Sequence, residues 1–90
     1  MLAPPFPATL VLIGTMTDAV NIADAADLGA ALRAARRARG LRLEDAALGA
    51  GVGVRFLSEL ERGKPTARLA ETLRVAASLG LRVTIEDPDG

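Results

Sequence analysis

Gly51–Gly63 reads GVGVRFLSELERG, and the fold turns on how this stretch is read. From about Val54 to Arg62, the apolar residues Phe56, Leu57 and Leu60 gather on one side of an α-helix. Arg55, Ser58, Glu59 and Arg62 recur at i, i+3, i+4 and i+7 on the other. A segment of this kind buries a narrow leucine edge and turns a polar stripe outward. Gly63 ends it, and Gly51 and Gly53 separate it from what precedes. What the outward stripe meets is the question the stretch sets.

Upstream, Leu43, Ala46, Ala47 and Ala50 repeat with the same spacing and predict a short helix over 43–50, broken by GAGVG at Gly49–Gly53. The glycine run fails as a phosphate-cradling loop, because no buried strand precedes it and no ribose-binding acid follows at a suitable distance. It reads as a tight turn between helices. Further back, Leu28, Ala31, Leu32 and Ala35 predict a helix from about Asp27, with Asp24 or Asp27 available as N-cap and Gly40 as its stop. Arg33, Arg36, Arg37 and Arg39 lie on its other faces. Arg36 follows Leu32 by four residues at the edge of the stripe, so it is the arginine expected to be partly buried and to need an acid.

Downstream, KPTARLAETLRVAASLG (Lys64–Gly80) predicts a fourth helix, with Thr66 as N-cap after Pro65, a stripe of Leu69, Leu73, Ala76 and Ala77, and Gly80 as its stop. The ending LRVTIEDPDG then changes period from 3.6 to 2. Leu81, Val83 and Ile85 fall on one face of a strand and Arg82, Thr84 and Glu86 on the other. A lone strand leaves its backbone groups unsatisfied, so it must pair with the N-terminal run or with the same strand of a second chain. Antiparallel self-pairing about Thr84 sets Arg82 across from Glu86 of the partner at both ends, which favours a homodimer. Asp87–Gly90 reads as a frayed acidic tail.

The first 22 residues, beginning MLAPPFPATLVLIGTM, are expected to be poorly ordered or peripheral, since Pro4, Pro5 and Pro7 prevent a regular helix. Either Met16 is the true start, or Thr9–Ile13 is a short strand. The apolar run Ala8–Gly14 is too short for a bilayer, and the beginning lacks the cations of a secretory signal. The organisation expected is therefore a peripheral segment over 1–22, a helical domain over 23–80, and a dimerisation strand with tail over 81–90.

Ninety residues, half of them apolar and rich in Ala and Leu, suit one small, mainly α domain whose marginal core would gain from dimerisation. There is no Cys and no His, so thiolate and imidazole metal sites and the usual nucleophile–base pairings are unavailable. No enzyme, metal or cofactor is expected, and a cytoplasmic setting is. Net charge is zero, which by itself argues against a nucleic-acid partner. Its distribution argues the other way: all eleven Lys and Arg fall between Arg33 and Arg82, a span that holds only five acids.

Two short helices across a tight glycine turn match the helix-turn-helix description. The run GLRLEDAALGAGVGVRFLSELERGKP (Gly40–Pro65), with an Arg-rich helix before it and an amphipathic one after, resembles the Cro and lambdoid-repressor type of the XRE family of bacterial regulators over about residues 28–80. FLSELERGKP is the strongest match. LAETLRVAASLGLRVTI (Leu69–Ile85) further resembles the end of HipB-like antitoxins. The sequence departs from the family at Arg42, where a Ser or Thr cap is usual, at Leu43, where a DNA-touching Gln is frequent, and at Ala46, which replaces a larger aliphatic.

The resemblance implies a lambda-repressor-like domain of four to five helices, with a short C-terminal strand that pairs across a dimer. It also implies that the third helix enters the major groove of an operator. There Val54 begins the helix, Arg55 reaches base edges, and Ser58 and Glu59 lie one turn on. Arg can donate a bidentate pair to guanine, and Glu59 could accept from cytosine N4. Equally, Ser58 could bond back to a helical carbonyl and Glu59 could pair with Arg55. Arg42, Lys64, Arg68 and Arg39 are the candidates for phosphate contacts, and Arg62 is either another or simply solvated. Glu61 matches the family acid that pairs with an arginine of the first helix, here Arg36. The function implied is repression of transcription, with the HipB likeness adding an antitoxin bound to a HipA-like kinase toxin. The alternatives are a stand-alone phage-type or metabolic repressor, or an interaction module of the same fold that has lost DNA binding.

Overall fold

The computed structural model describes residues 19–89. The expectations for residues 1–18 (the alternative start at Met16 and the strand over Thr9–Ile13) lie outside the described residues. Among those described there are four helices: α1 (Ala25–Ala38), α2 (Leu43–Ala50), α3 (Val54–Glu61) and α4 (Leu69–Ser78). Residues 19–23 enter α1 without regular structure, leaving Val20 and Ile22 exposed.

Helix α1 starts where its cap permits. The Asp24 side chain accepts from the Asp27 N–H at 2.8 Å, and the Asp27 carboxylate accepts from the Ala23 N–H at 2.9 Å, so two otherwise unpaired donors are satisfied. The helix therefore begins two residues before Asp27. The other three helices have no side-chain N-cap. At α4 this overturns the Thr66 expectation, because the cap position is Arg68 and the chain from Pro65 to Ala67 is turn and coil.

Leu32, Leu57 and Val75 are the largest fully buried side chains, and Ala46, Ala47, Ala50, Leu60, Ala76 and Leu79 close the core around them. Helix α1 packs on α3, and α2 packs on both α3 and α4. The alanines of α2 suit a helix with two neighbours, since a small side chain lets both approach. Helix α4 buries Thr72, Val75 and Ala76, with Leu79 buried just past its end, whereas Leu69 (69% exposed) and Leu73 (45% exposed) face outward. This corrects the expected stripe of Leu69, Leu73, Ala76 and Ala77. Apolar residues occupy more than one side of α4, and contact with α2, which periodicity does not reveal, selects the Val75 side. Thr72 is tolerated in the core because its hydroxyl donates to the Arg68 carbonyl at 2.6 Å.

The second correction concerns the C-terminus. Residues 81–87 form no strand, and among the described residues the chain has none. Leu81 packs partly against the core, and its N–H donates to the Ala76 carbonyl at 2.9 Å as α4 ends; beyond it the chain is exposed. The period-2 pattern is real, but a strand exists only when another strand supplies the ladder, and the described part of one chain supplies none.

Candidate nucleic-acid interface

Helices α2 and α3 are joined through Gly51, Val52 and Gly53. Gly51 is left-handed at φ 72°, a conformation that costs a residue with a side chain more than it costs glycine. The Val52 N–H donates to the Ala47 carbonyl at 3.0 Å, the Gly51 N–H donates to the Leu48 carbonyl at 3.1 Å, and Val52 packs on the core. This closure fixes the angle at which α3 leaves the turn. Arg74 of α4 reaches the same place, its Nε and Nη2 donating to the Ala50 and Gly51 carbonyls at 3.4 Å. Sequence reading missed Arg74, although a cation set over carbonyls at a helix C-terminus is a recognised arrangement.

Leu57 and Leu60 anchor α3 at 0% and 3% exposure. The opposite side presents Val54 and Arg55 to solvent at the start of the helix, half-buried Ser58 and Glu59 one turn later, and exposed Arg62 at its end. The Arg55 side chain is 91% exposed. Glu59 is bridged: Lys64 Nζ donates to Oε1 at 3.0 Å and Arg55 Nε donates to Oε2 at 3.3 Å. The hydrogen bond from Lys64, and after it the one from Arg55, holds the Glu59 carboxyl below the usual glutamate range. The bridge is therefore complete at neutral pH and is lost only as pH falls through that lowered value. Carboxyl-carbon NMR is expected to show Glu59 titrating below an unpaired glutamate, and moving up toward it in Lys64→Gln. A Glu59 titration left unmoved by Lys64→Gln would refute the bridge.

Arg55, Phe56, Glu59, Lys64 and Arg68 line a shallow notch of about 300 Å³ between α3 and the start of α4. The Arg68 guanidinium lies 5.5 Å from the centre of the Phe56 ring, and its Nε is 3.2 Å from Glu71 Oε2. Glu59 and Lys64 border a second depression with Arg62. Arg42 stands at the start of α2, outside both hollows, with its Nε 3.3 Å from Asp45 Oδ2. Val54 and Ser58 also lie outside both hollows, and Arg39 Nη1 donates to the Ala35 carbonyl of its own helix at 3.0 Å.

The Arg36–Glu61 pair sets the tilt of α3. Arg36 Nε and Nη2 donate to Glu61 Oε2 and Oε1 at 2.7 and 3.0 Å, and Nη1 donates to the Leu41 carbonyl at 2.8 Å. The hydrogen bond to Glu61 raises the Arg36 pKa further, so the pair stays charged. Beside it, Gly29 of α1 lies against the Leu60 and Glu61 carbonyls, so closely that a Cβ there would come within 2.7 Å of the Glu61 oxygen. No sequence signal marked Gly29, which sits in a helix where alanine has the higher propensity.

The C-terminal residues are not gathered into this site. Val83 is 57% exposed and Ile85 98% exposed, and Arg82, Thr84 and Glu86 are exposed beside them. Among the described residues no cluster of three or more acids is placed to hold a metal ion, and no helix is long and apolar enough to cross a membrane.

Two short helices across a left-handed glycine turn, the second braced from behind and cation-bearing in front, define a helix-turn-helix protein. The chain matches the family described as "Helix-turn-helix" over residues 32–85. It is also 43% identical over 70 residues, 78% of this chain and 92% of the relative, to a protein of Sinorhizobium fredii (strain NBRC 101917 / NGR234) described as "Uncharacterized HTH-type transcriptional regulator y4mF". The chain belongs to the helix-turn-helix family, in its XRE type, and thus to a class of DNA-binding regulators that are not enzymes.

Proposed function

We propose that this chain is a cytoplasmic, sequence-specific transcriptional repressor that binds its operator as a homodimer, and that it is the antitoxin of a HipBA-like pair. The observation that carries the first part is Arg55, on the first turn of α3 and 91% exposed, with Leu57 and Leu60 buried behind it. A helix laid in the major groove presents its N-terminal residues to base edges. On this reading Val54 packs against the groove wall, Arg55 takes guanine O6 and N7, and Ser58 and Glu59 face the next bases. Arg42, Arg62, Lys64 and Arg68 take phosphates.

One copy reads only a few base pairs, and a two-fold pair doubles the contact. The segment Leu81–Glu86 supports pairing: Leu81 packs partly on the core, Val83 and Ile85 are uncovered, and self-pairing about Thr84 would match Arg82 with Glu86. The two α3 helices would then read half-sites about 34–36 Å apart, or a multiple of that. The antitoxin part rests on the HipB-like ending alone. A kinase encoded beside this gene is expected to co-purify with the chain, and a chain that binds DNA without such a companion is a stand-alone repressor.

The test is an electrophoretic shift with the gene's own promoter across a salt series, alongside sedimentation of the free protein. A dimer that shifts the promoter is expected. Arg55→Ala should weaken that complex by about 1–3 kcal/mol, roughly 5- to 150-fold, and relax discrimination at one base pair. No shift at low salt would favour an interaction module of the same fold, for which the zero net charge is the specific support.

A further inference from the structure

We infer that Asp45, Glu59 and Glu71 determine specificity, by holding the cations of the DNA-binding face in pairs within the protein so that a duplex of the wrong sequence gains little from contacting them. This rests on the DNA-binding reading above and extends it, since it gives the acids of that face the work of discrimination.

Of the five cations assigned to DNA under the proposed function, four are paired: Arg42 with Asp45 at 3.3 Å, Arg55 and Lys64 with Glu59 at 3.3 and 3.0 Å, and Arg68 with Glu71 at 3.2 Å. Arg62 has no ion-pair partner among the described residues. Glu59 is the centre of the set, with each oxygen engaged by a different cation and only 26% of its side chain exposed. It is therefore more constrained than the arginine it holds.

A complex with the wrong sequence is held by phosphate neutralisation and counterion release. A cation already matched by a carboxylate releases fewer counterions, and it must give up its pair to reach a phosphate. The carboxylate also repels the phosphates near it. These effects weaken complexes with every sequence, and the cognate duplex alone recovers the loss, through the guanine contact of the Arg55 that Glu59 holds in place. Glu59 engages Arg55 through Nε, which leaves the two terminal nitrogens of the guanidinium in place for a guanine. Glu59 is thus a positioning residue for Arg55 and a brake on Lys64.

The experiment measures binding of two duplexes of about 30 base pairs, from about 50 to 200 mM salt, the range over which phosphate contacts reveal themselves. One duplex is enriched by the wild-type chain from a randomised pool, and the other is its scrambled counterpart. Glu59→Gln is compared with wild type and with Asp87→Asn, which makes the same change of net charge in the tail. Glu59 lies outside the core, so helical content should be unchanged. Glu59→Gln is expected to bind the scrambled duplex about tenfold tighter, to steepen the salt dependence by about one to two ions, and to shrink the ratio between the duplexes about tenfold. Asp87→Asn should leave that ratio unchanged. An unaltered slope and ratio in Glu59→Gln, or an equal effect from Asp87→Asn, would overturn the inference while the DNA-binding reading stood. A wild-type chain that enriches no duplex from the pool would remove that reading itself.

Discussion

Glu61→Ala is expected to lower the unfolding free energy by about 3–5 kcal/mol, the range for breaking a buried pair from one side. The Glu61 side chain is 6% exposed and that of Arg36 is 13%, so truncation strands a guanidinium in the interior with only the Leu41 carbonyl left to accept from it. A small domain has roughly 5–15 kcal/mol in all, and 90 residues put this one toward the lower end. At about 4–8 °C per kcal/mol, the thermal midpoint should fall by roughly 12–40 °C. Asp45→Ala, which removes the partner of the exposed Arg42, should shift it by only a few degrees. Replacing both members of the buried pair, as Arg36→Met with Glu61→Leu, should recover much of the loss, because no charge is then left unpaired. Thermal denaturation followed by circular dichroism decides the matter: a midpoint for Glu61→Ala close to that of Asp45→Ala would show that the pair is not what fixes α3 to α1.

Gly29→Ala is the second large effect, and opposing terms meet in it. Alanine in place of glycine inside a helix gains roughly 1 kcal/mol. Against this, the new methyl would meet the Leu60 and Glu61 carbonyl oxygens, which belong to the backbone and cannot rotate aside. Relief requires α1 and α3 to separate, and overpacking of this kind costs about 3 kcal/mol at the upper end of its usual range. A net destabilisation of about 2 kcal/mol is expected. What stays folded should bind DNA less well, because the last turn of α3 has been pushed from its seat. Gly49→Ala is the control, since a Cβ there meets nothing within 4 Å and only the gain in propensity remains. Urea denaturation of the two variants should move in opposite directions, and a stabilised Gly29→Ala would mean that the helices are not in close approach.

Both predictions concern the α1–α3 junction, and the two halves of that junction differ in how they can be found from sequence. Arg36 and Glu61 are charged residues at the borders of apolar stripes, a pattern that signals a buried pair and that resemblance to a family can match. Gly29 is a glycine within an alanine-rich helix. Nothing local distinguishes it from a residue that merely weakens the helix, because its reason is two carbonyls 31 and 32 residues further on.

The C-terminal half shows the same division. In α4 the stop at Gly80 was legible, but the buried face was not. Leu69 and Leu73 are as apolar as the residues that went inside, and only the position of α2 places Val75 and Leu79 there. For residues 81–86 the alternation was legible, while the strand it describes needs a ladder from elsewhere.

The sequence by itself determined the helices, the glycine turn and the polar stripe of α3, because these depend on side-chain period and on backbone conformations open to few residues. Tertiary structure alone decided which face of α4 is core, why Gly29 has no side chain, and that Glu59 is held by Lys64 as well as by Arg55. Each of these is a meeting of atoms from different elements, and the distance between two elements is written in no local pattern.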